Sequence, residues 1–285
     1  MFAYRHFEFP QTQASMEFFQ RHPTFYDAFL RLFDLGTKFF GRTVDCKSCA
    51  DLIAFNLGMA CREDLIEVSF MAVSDYGMAS SKLLRGLYER AVTLAYIIKH
   101  PEKAERFVKY GAVQKHKMLN ETLKLVTEAE YDKLRPNETA AQIRHAYAIV
   151  KNDFQEMNCK KCGTKRLAFK WDAKDIASMA KDVGEPYIKY YMAAYALGNL
   201  TLHATLVSTM QFEDEGKQKL QQERRGARVC VRCAIALFIE VLKSQNRHFN
   251  LDLEDEIRDC EKQFHSVWPK PEDTGSNDDL SIAVE

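Results

Sequence analysis

Apolar residues recur at helical spacing along most of this chain, and runs that alternate apolar with polar between hairpin turn residues are nearly absent. Between Ser80 and Ile98 the stripe Leu83, Leu84, Leu87, Ala91, Leu94, Ala95 and Ile98 is broad enough that only a helix packed among other helices can bury it. His100-Pro101 closes that helix, because proline disfavours helical geometry in the residue before it.

The same periodicity sets out the rest of the chain. Thr24 to Phe40 places Phe25, Phe29, Leu32, Phe33 and Phe40 on one face, with Gly36 and Gly41 weakening its end. Ser48 can cap a helix through Leu52, Phe55, Met59, Leu65, Phe70 and Val73, which Asp75-Tyr76-Gly77 ends. Pro101 suits a first helical position, and Ala104, Phe107, Val108, Ala112, Leu119 and Leu123 follow it. Thr127 with Glu130 resembles a capping box, and Asn137 can cap a further helix through Val150. Glu156 to Lys170, with two cysteines, a glycine and five Lys or Arg, reads as an exposed loop. Asp172 starts a helix that Gly184 ends, Pro186 starts the tyrosine-rich one, Val229 to Leu242 is a buried stretch, and a last helix follows Asn250.

These elements predict an all-α protein: a single bundle of about eight to ten helices over residues 1–268, followed by a disordered tail, 269–285, too poor in apolar surface to order itself. With 46% hydrophobic and 12% aromatic residues in 285, a sizeable core can form. Lys+Arg and Asp+Glu are both 40, so no global field draws the chain to nucleic acid or to an anionic membrane. Met1 to Pro10 lacks the pattern of a secretory signal, and Val229 to Leu242 is shorter than the roughly 20 residues of a membrane span and carries Arg232 and Glu240. A cytoplasmic location without membrane association is expected.

Eight cysteines are too few for a disulfide scaffold in a chain of this length, so their spacing carries more than their number. Cys159-Lys160-Lys161-Cys162-Gly163 has the glycine of a tight knuckle, and Cys46-Lys47-Ser48-Cys49 lies at a helix start. Cys46, Cys49, Cys159 and Cys162 can therefore close one structural zinc site, or remain ordinary thiols. Cys230 and Cys233, flanked by Val229, Val231 and Ala234, read as core.

Two polar features interrupt apolar helices. Arg85 and Glu89, four apart, share a face and can form either an internal ion pair or one wall of a pocket. His203, after Tyr187, Tyr190, Tyr191 and Tyr195, is either a hydrogen-bonded packing residue or a proton-transfer group. Arg258 and His265, two turns apart, fit a loose phosphate-binding pattern or a solvated face. Phosphate loops, nucleophile elbows and paired zinc-protease histidines are missing from the sequence, which disfavours nucleotide folds and the common hydrolases.

The stretch SSKLLRGLYERAVTLAYIIKHPEKAERFVKYGAVQKHK, Ser80 to Lys117, and the stretch KWDAKDIASMAKDVGEPYIKYYMAAYALGNLTLHAT, Lys170 to Thr205, together resemble a bacterial family catalogued as domain of unknown function 5677. The resemblance covers about Cys49 to Met210 and implies a helical bundle with an Arg-x-x-x-Glu helix, a tyrosine-rich helix and a closing histidine. By position Arg85 and Glu89 match the first motif, and Tyr191, Tyr195 and His203 the second. The family often has serine shortly before the histidine and proline or serine after it, where this chain has Gly198, Asn199, Ala204 and Thr205. In outline such families are similar to the helical nucleotide-binding superfamily of higher eukaryotes and prokaryotes, which includes toxin and antiviral ribonucleases. The resemblance thus implies a stress- or antiphage-defence factor whose Arg85, Glu89, Tyr195 and His203 form a metal-independent, ribonuclease-like pocket for RNA or a nucleotide. The alternative is a non-catalytic interaction module with a structural zinc, whose partner is another protein or a second copy of the chain.

Overall fold

A computed structural model describes residues 8–157, 163, 165–196, 198–199 and 216–268, the side chains of 157, 165 and 216–225 excepted. The protein is all-α, and the one sheet among the described residues is a two-stranded ribbon. None of its helices is long and apolar enough to cross a membrane, among the described residues. The predicted tail, 269–285, lies outside them. Two compact units divide the chain, one formed by residues 1–99 and 176–285 and the other by residues 100–175.

The first unit contains α1 (Gln13–Arg21), α2 (Phe25–Phe40), α3 (Cys49–Val73), α4 (Gly77–Lys99), α8 (Ile176–Val183), α9 (Tyr187–Tyr190), a π-helical turn (Tyr191–Ala196), α10 (Gly216–Phe249) and α11 (Glu254–Val267). Its centre is the mutual packing of α3, α4 and α10. Ser48 caps α3 as expected: its hydroxyl accepts from the Asp51 amide, and Asp51 returns the bond to the Ser48 amide, so two unpaired helix-end donors are satisfied at once. Asp75, at φ 63°, takes the left-handed conformation between α3 and α4.

The face that α3 buries is not the one with the largest side chains. Leu52 and Met59 are exposed, whereas Ala50, Ala54, Gly58, Cys61, Leu65 and Val68 are buried. Small residues at this spacing let α10 come close. The Gln245 side-chain amide crosses to the Ala54 carbonyl, and a Cβ built on Gly58 would lie 2.3 Å from Gln245 Nε2 and 2.9 Å from the Phe40 ring. Gly58→Ala is therefore expected to cost about 1–3 kcal/mol by overpacking. A urea titration should show a lower midpoint at unchanged slope, and an unaltered midpoint would mean that the helices part without cost.

The second unit contains a 3-10 turn (Pro101–Lys103), α5 (Ala104–Thr122), α6 (Glu128–Leu134), α7 (Ala140–Val150), a 3-10 turn (Lys151–Phe154), β1 (Gln155–Met157) and β2 (Lys165–Leu167). Tyr110, Val113, Val150, Phe154 and Ala168 form one core cluster, and Leu119, Tyr131, Ala140 and Ile143 another. The Thr127 and Glu130 capping box opens α6 as the sequence predicts. Thr139, not Asn137, caps α7, because Gln142 stands three residues on to complete a reciprocal box. The predicted loop from Glu156 to Lys170 contains the ribbon, with Glu156 opposite Arg166; three-residue strands are too short to show an alternating pattern. Asp172 starts no helix either. Its buried carboxylate accepts from the Lys174 amide and pairs with Lys103 at 2.9 Å, and α8 begins only at Ile176.

Candidate functional site

The site grows from one face of α4. Arg85, Tyr88 and Glu89 are three and four residues apart, so they project from adjacent turns toward the chain that follows α9. There the π-helical turn, which widens the helix, brings Tyr191 and Tyr195 around Tyr88, with ring centroids at 6.2 and 5.7 Å. Tyr88 is wholly buried and donates to the Tyr187 carbonyl at 2.7 Å, and burial pushes its phenol well above the usual range.

Arg85 lies against this aromatic floor. Its guanidinium carbon stands 4.9 Å from the centre of the Tyr195 ring, Nη1 is 3.0 Å from Glu89 Oε2, and Nε donates to Asn199 Oδ1. Gly198 permits the approach of Asn199, since a Cβ there would stand 2.9 Å from both Arg85 Cβ and the Ser81 carbonyl oxygen. The arginine side chain keeps 22% of its accessibility and that of Glu89 keeps 38%, so water reaches both charges. A guanidinium held on three sides and still wet can take a phosphate or carboxylate oxyanion with little reorganisation.

Arg85, Glu89 and Tyr195 thus come together, while His203 lies outside the described residues. Asn199 and Tyr88 were missed as members of the cluster. Asn199 could have been suspected, since it stands near where the family resemblance expects a serine; Tyr88 carries no signal beyond its place three residues after Arg85.

The sequence profile of the family described as "Family of unknown function (DUF5677)" matches residues 51–219, more than half of the chain. The chain belongs to this family. All the cluster residues fall within the part that defines membership in DUF5677. No curated protein and no solved structure matches the chain.

Cys46 and Cys49 flank the start of α3 as free, half-buried thiols, and Cys159 and Cys162 lie outside the described residues. Burial, with Asp51 and then Asp45, raises the Cys46 pKa. No group of three or more His, Cys, Asp and Glu side chains able to hold a metal occurs among the described residues. Near Cys46, Asp51 instead binds His248 Nε2 at 2.8 Å. Burial alone would raise the Asp51 pKa, but its hydrogen bonds with Ser48 and His248 outweigh this and hold it below the ordinary value. Cys230 and Cys233 are buried core thiols, each pushed by desolvation to about 12. Arg258 and His265 are exposed on α11, with Arg258 paired to Asp255 at 2.6 Å.

Proposed function

We propose that the Arg85 cluster is a phosphate-directed site acting on RNA or a nucleotide without a metal, in a bacterial stress- or antiphage-defence factor. The supporting observation is the guanidinium fixed by Glu89, Asn199 and the Tyr195 ring yet open to water. A single carboxylate beside a guanidinium is a poor cation site, since the fixed positive charge repels the ion, but it suits an anionic ester.

For RNA, the 2′-hydroxyl attacks the adjacent phosphorus while Glu89 accepts its proton. Arg85 neutralises the charge that builds on the phosphoryl oxygens, and Tyr195 supports the guanidinium from beneath. The phosphorus–O5′ bond breaks as His203 donates a proton to the leaving oxygen, which gives a 2′,3′-cyclic phosphate and a 5′-hydroxyl end.

The test is purified full-length protein incubated with end-labelled RNA in excess chelator. Cleavage with cyclic phosphate ends is expected, and Glu89→Gln and His203→Ala should each slow it by about 10²-fold, the usual contribution of one acid–base group. Equal cleavage by all three proteins would remove these residues from any mechanism. The second reading, a non-catalytic interaction module, draws on the fact that among the described residues the Arg85 guanidinium meets Glu89, Asn199 and the Tyr195 ring, all groups of its own fold. It requires Arg85→Ala to lower the melting temperature by several degrees with no activity to lose.

A further inference from the structure

The second unit carries an aromatic ring that its own fold leaves outside. Phe169 is 72% accessible, although it follows a fully buried alanine. Its position is fixed from behind: the Ala168 amide donates to the Phe154 carbonyl at 2.7 Å, and the Ala168 carbonyl accepts from Lys117 Nζ at 2.7 Å and from the Tyr110 hydroxyl at 3.2 Å. Three bonds to one residue hold the next side chain outward with little conformational freedom left to lose on binding.

Two cations lie within cation–π distance of the ring. The Arg166 guanidinium carbon is 5.2 Å and Lys117 Nζ 5.4 Å from its centroid, and Lys170 is exposed one residue further along. From Gln155 to Lys170 the chain has five Lys or Arg and one acid, Glu156, whereas over its full length the two signs balance at 40 each. Glu156 pairs with Arg166 at 3.6 Å, and both side chains stay about half exposed, so the pair is a weak, water-screened one.

We infer that the β-ribbon face of the second unit, centred on Phe169 with Arg166, Lys170 and Lys117, binds single-stranded nucleic acid by stacking a base on the phenyl ring and meeting the adjacent phosphates with the cations. Each nucleotide presents one flat ring and one negative charge, which is the pairing of features displayed here. A lone exposed ring buries too little apolar area to hold a membrane surface, and an acidic peptide has no need of an open aromatic face. Stacking and phosphate contacts read no sugar hydroxyl, so DNA and RNA strands bind alike. Its residues belong to the second unit and the Arg85 cluster to the first, and the inference does not require that cluster to be a nuclease.

The probe is a fluorescein-labelled thymidine deoxyoligonucleotide about twelve residues long, within the span one such surface covers. It has no 2′-hydroxyl and so survives any ribonuclease activity. Its anisotropy should rise with full-length protein, Phe169→Ala should weaken binding about 5- to 50-fold, and Phe169→Trp should preserve it. Arg166→Gln and Lys170→Gln should each flatten the logarithmic salt dependence by about 0.7 for every phosphate lost. An unchanged melting temperature for Phe169→Ala confirms that folding is not what failed. The inference is overturned if the wild-type protein does not bind, if Phe169→Ala binds as tightly as the parent, or if duplex DNA binds equally. It is also overturned if anionic vesicles outcompete the oligonucleotide, or if Arg85→Ala alone abolishes binding, which would assign the anion to the first unit.

Discussion

Between pH 6.5 and about 4 this protein is expected to lose about 3 kcal/mol of stability through one side chain, His22. The imidazole at the end of α1 is 7% accessible and packs against Phe18 and Trp268, each with its centroid 4.9 Å away. Among the described residues its Nδ1 is buried without a hydrogen-bond partner. Burial lowers its pKa to about 4; Arg228, Arg21 and Arg232 push in the same direction, and a hydrogen bond with the Val267 backbone opposes them. Below the ordinary value of 6.5 the unfolded chain takes up a proton that the folded chain refuses, so stability falls with pH until the folded pKa is reached. Replacing His22 with Phe removes the titration and keeps the aromatic packing. Urea unfolding at pH 7.5 and at pH 4.5 should show a drop in the parent larger by about 2–3 kcal/mol than in His22→Phe. Parallel losses in the two proteins would mean that other groups cause the acid sensitivity.

Tyr88→Ala should cost still more. It empties a fully buried aromatic site and leaves the Tyr187 carbonyl without the donor that now stands 2.7 Å away. Truncation of a buried ring costs about 3–5 kcal/mol, which for a domain of this size lowers the melting temperature by roughly 10 °C. Tyr88→Phe keeps the ring and removes only the hydroxyl, so about 1 kcal/mol is expected from it. Calorimetry of the pair separates the packing of Tyr191 and Tyr195 on this ring from the single hydrogen bond. An alanine variant that melts within a degree or two of the phenylalanine variant would show that the tyrosine cluster does not order the π-helical turn.

Either loss would reach the Arg85 cluster only through packing. Tyr88 is the floor on which Tyr195, and through it Arg85, is set. Tyr88→Phe should therefore leave catalytic and binding measurements near those of the parent.

How much was legible beforehand varies with the range of the interaction responsible. Helices, caps and the α4 stripe depend on contacts within a few residues, and Ser48, Thr127 and Pro101 announced them in the sequence. The pairing of Arg85 with Glu89 is of the same kind, four residues along one helix. What α3 buries could not be read in that way, because a stripe of Ala, Gly and Cys looks weak until Gln245 and Phe40 are known to press against it. The ribbon and the outward Phe169 were hidden too, since a three-residue strand has no period and exposure depends on which groups pin its neighbour.

From the sequence alone came the fold class, most helix boundaries and the family, because these follow from local periodicity and from motifs carried in continuous stretches of chain. Only the tertiary structure decided that Asn199, 114 residues away, takes the Arg85 guanidinium, that Tyr195 lies beneath it, and that His22 is sealed among aromatic rings. Contacts of that kind are fixed by how helices pack, and packing is a property of the whole chain that no single segment encodes.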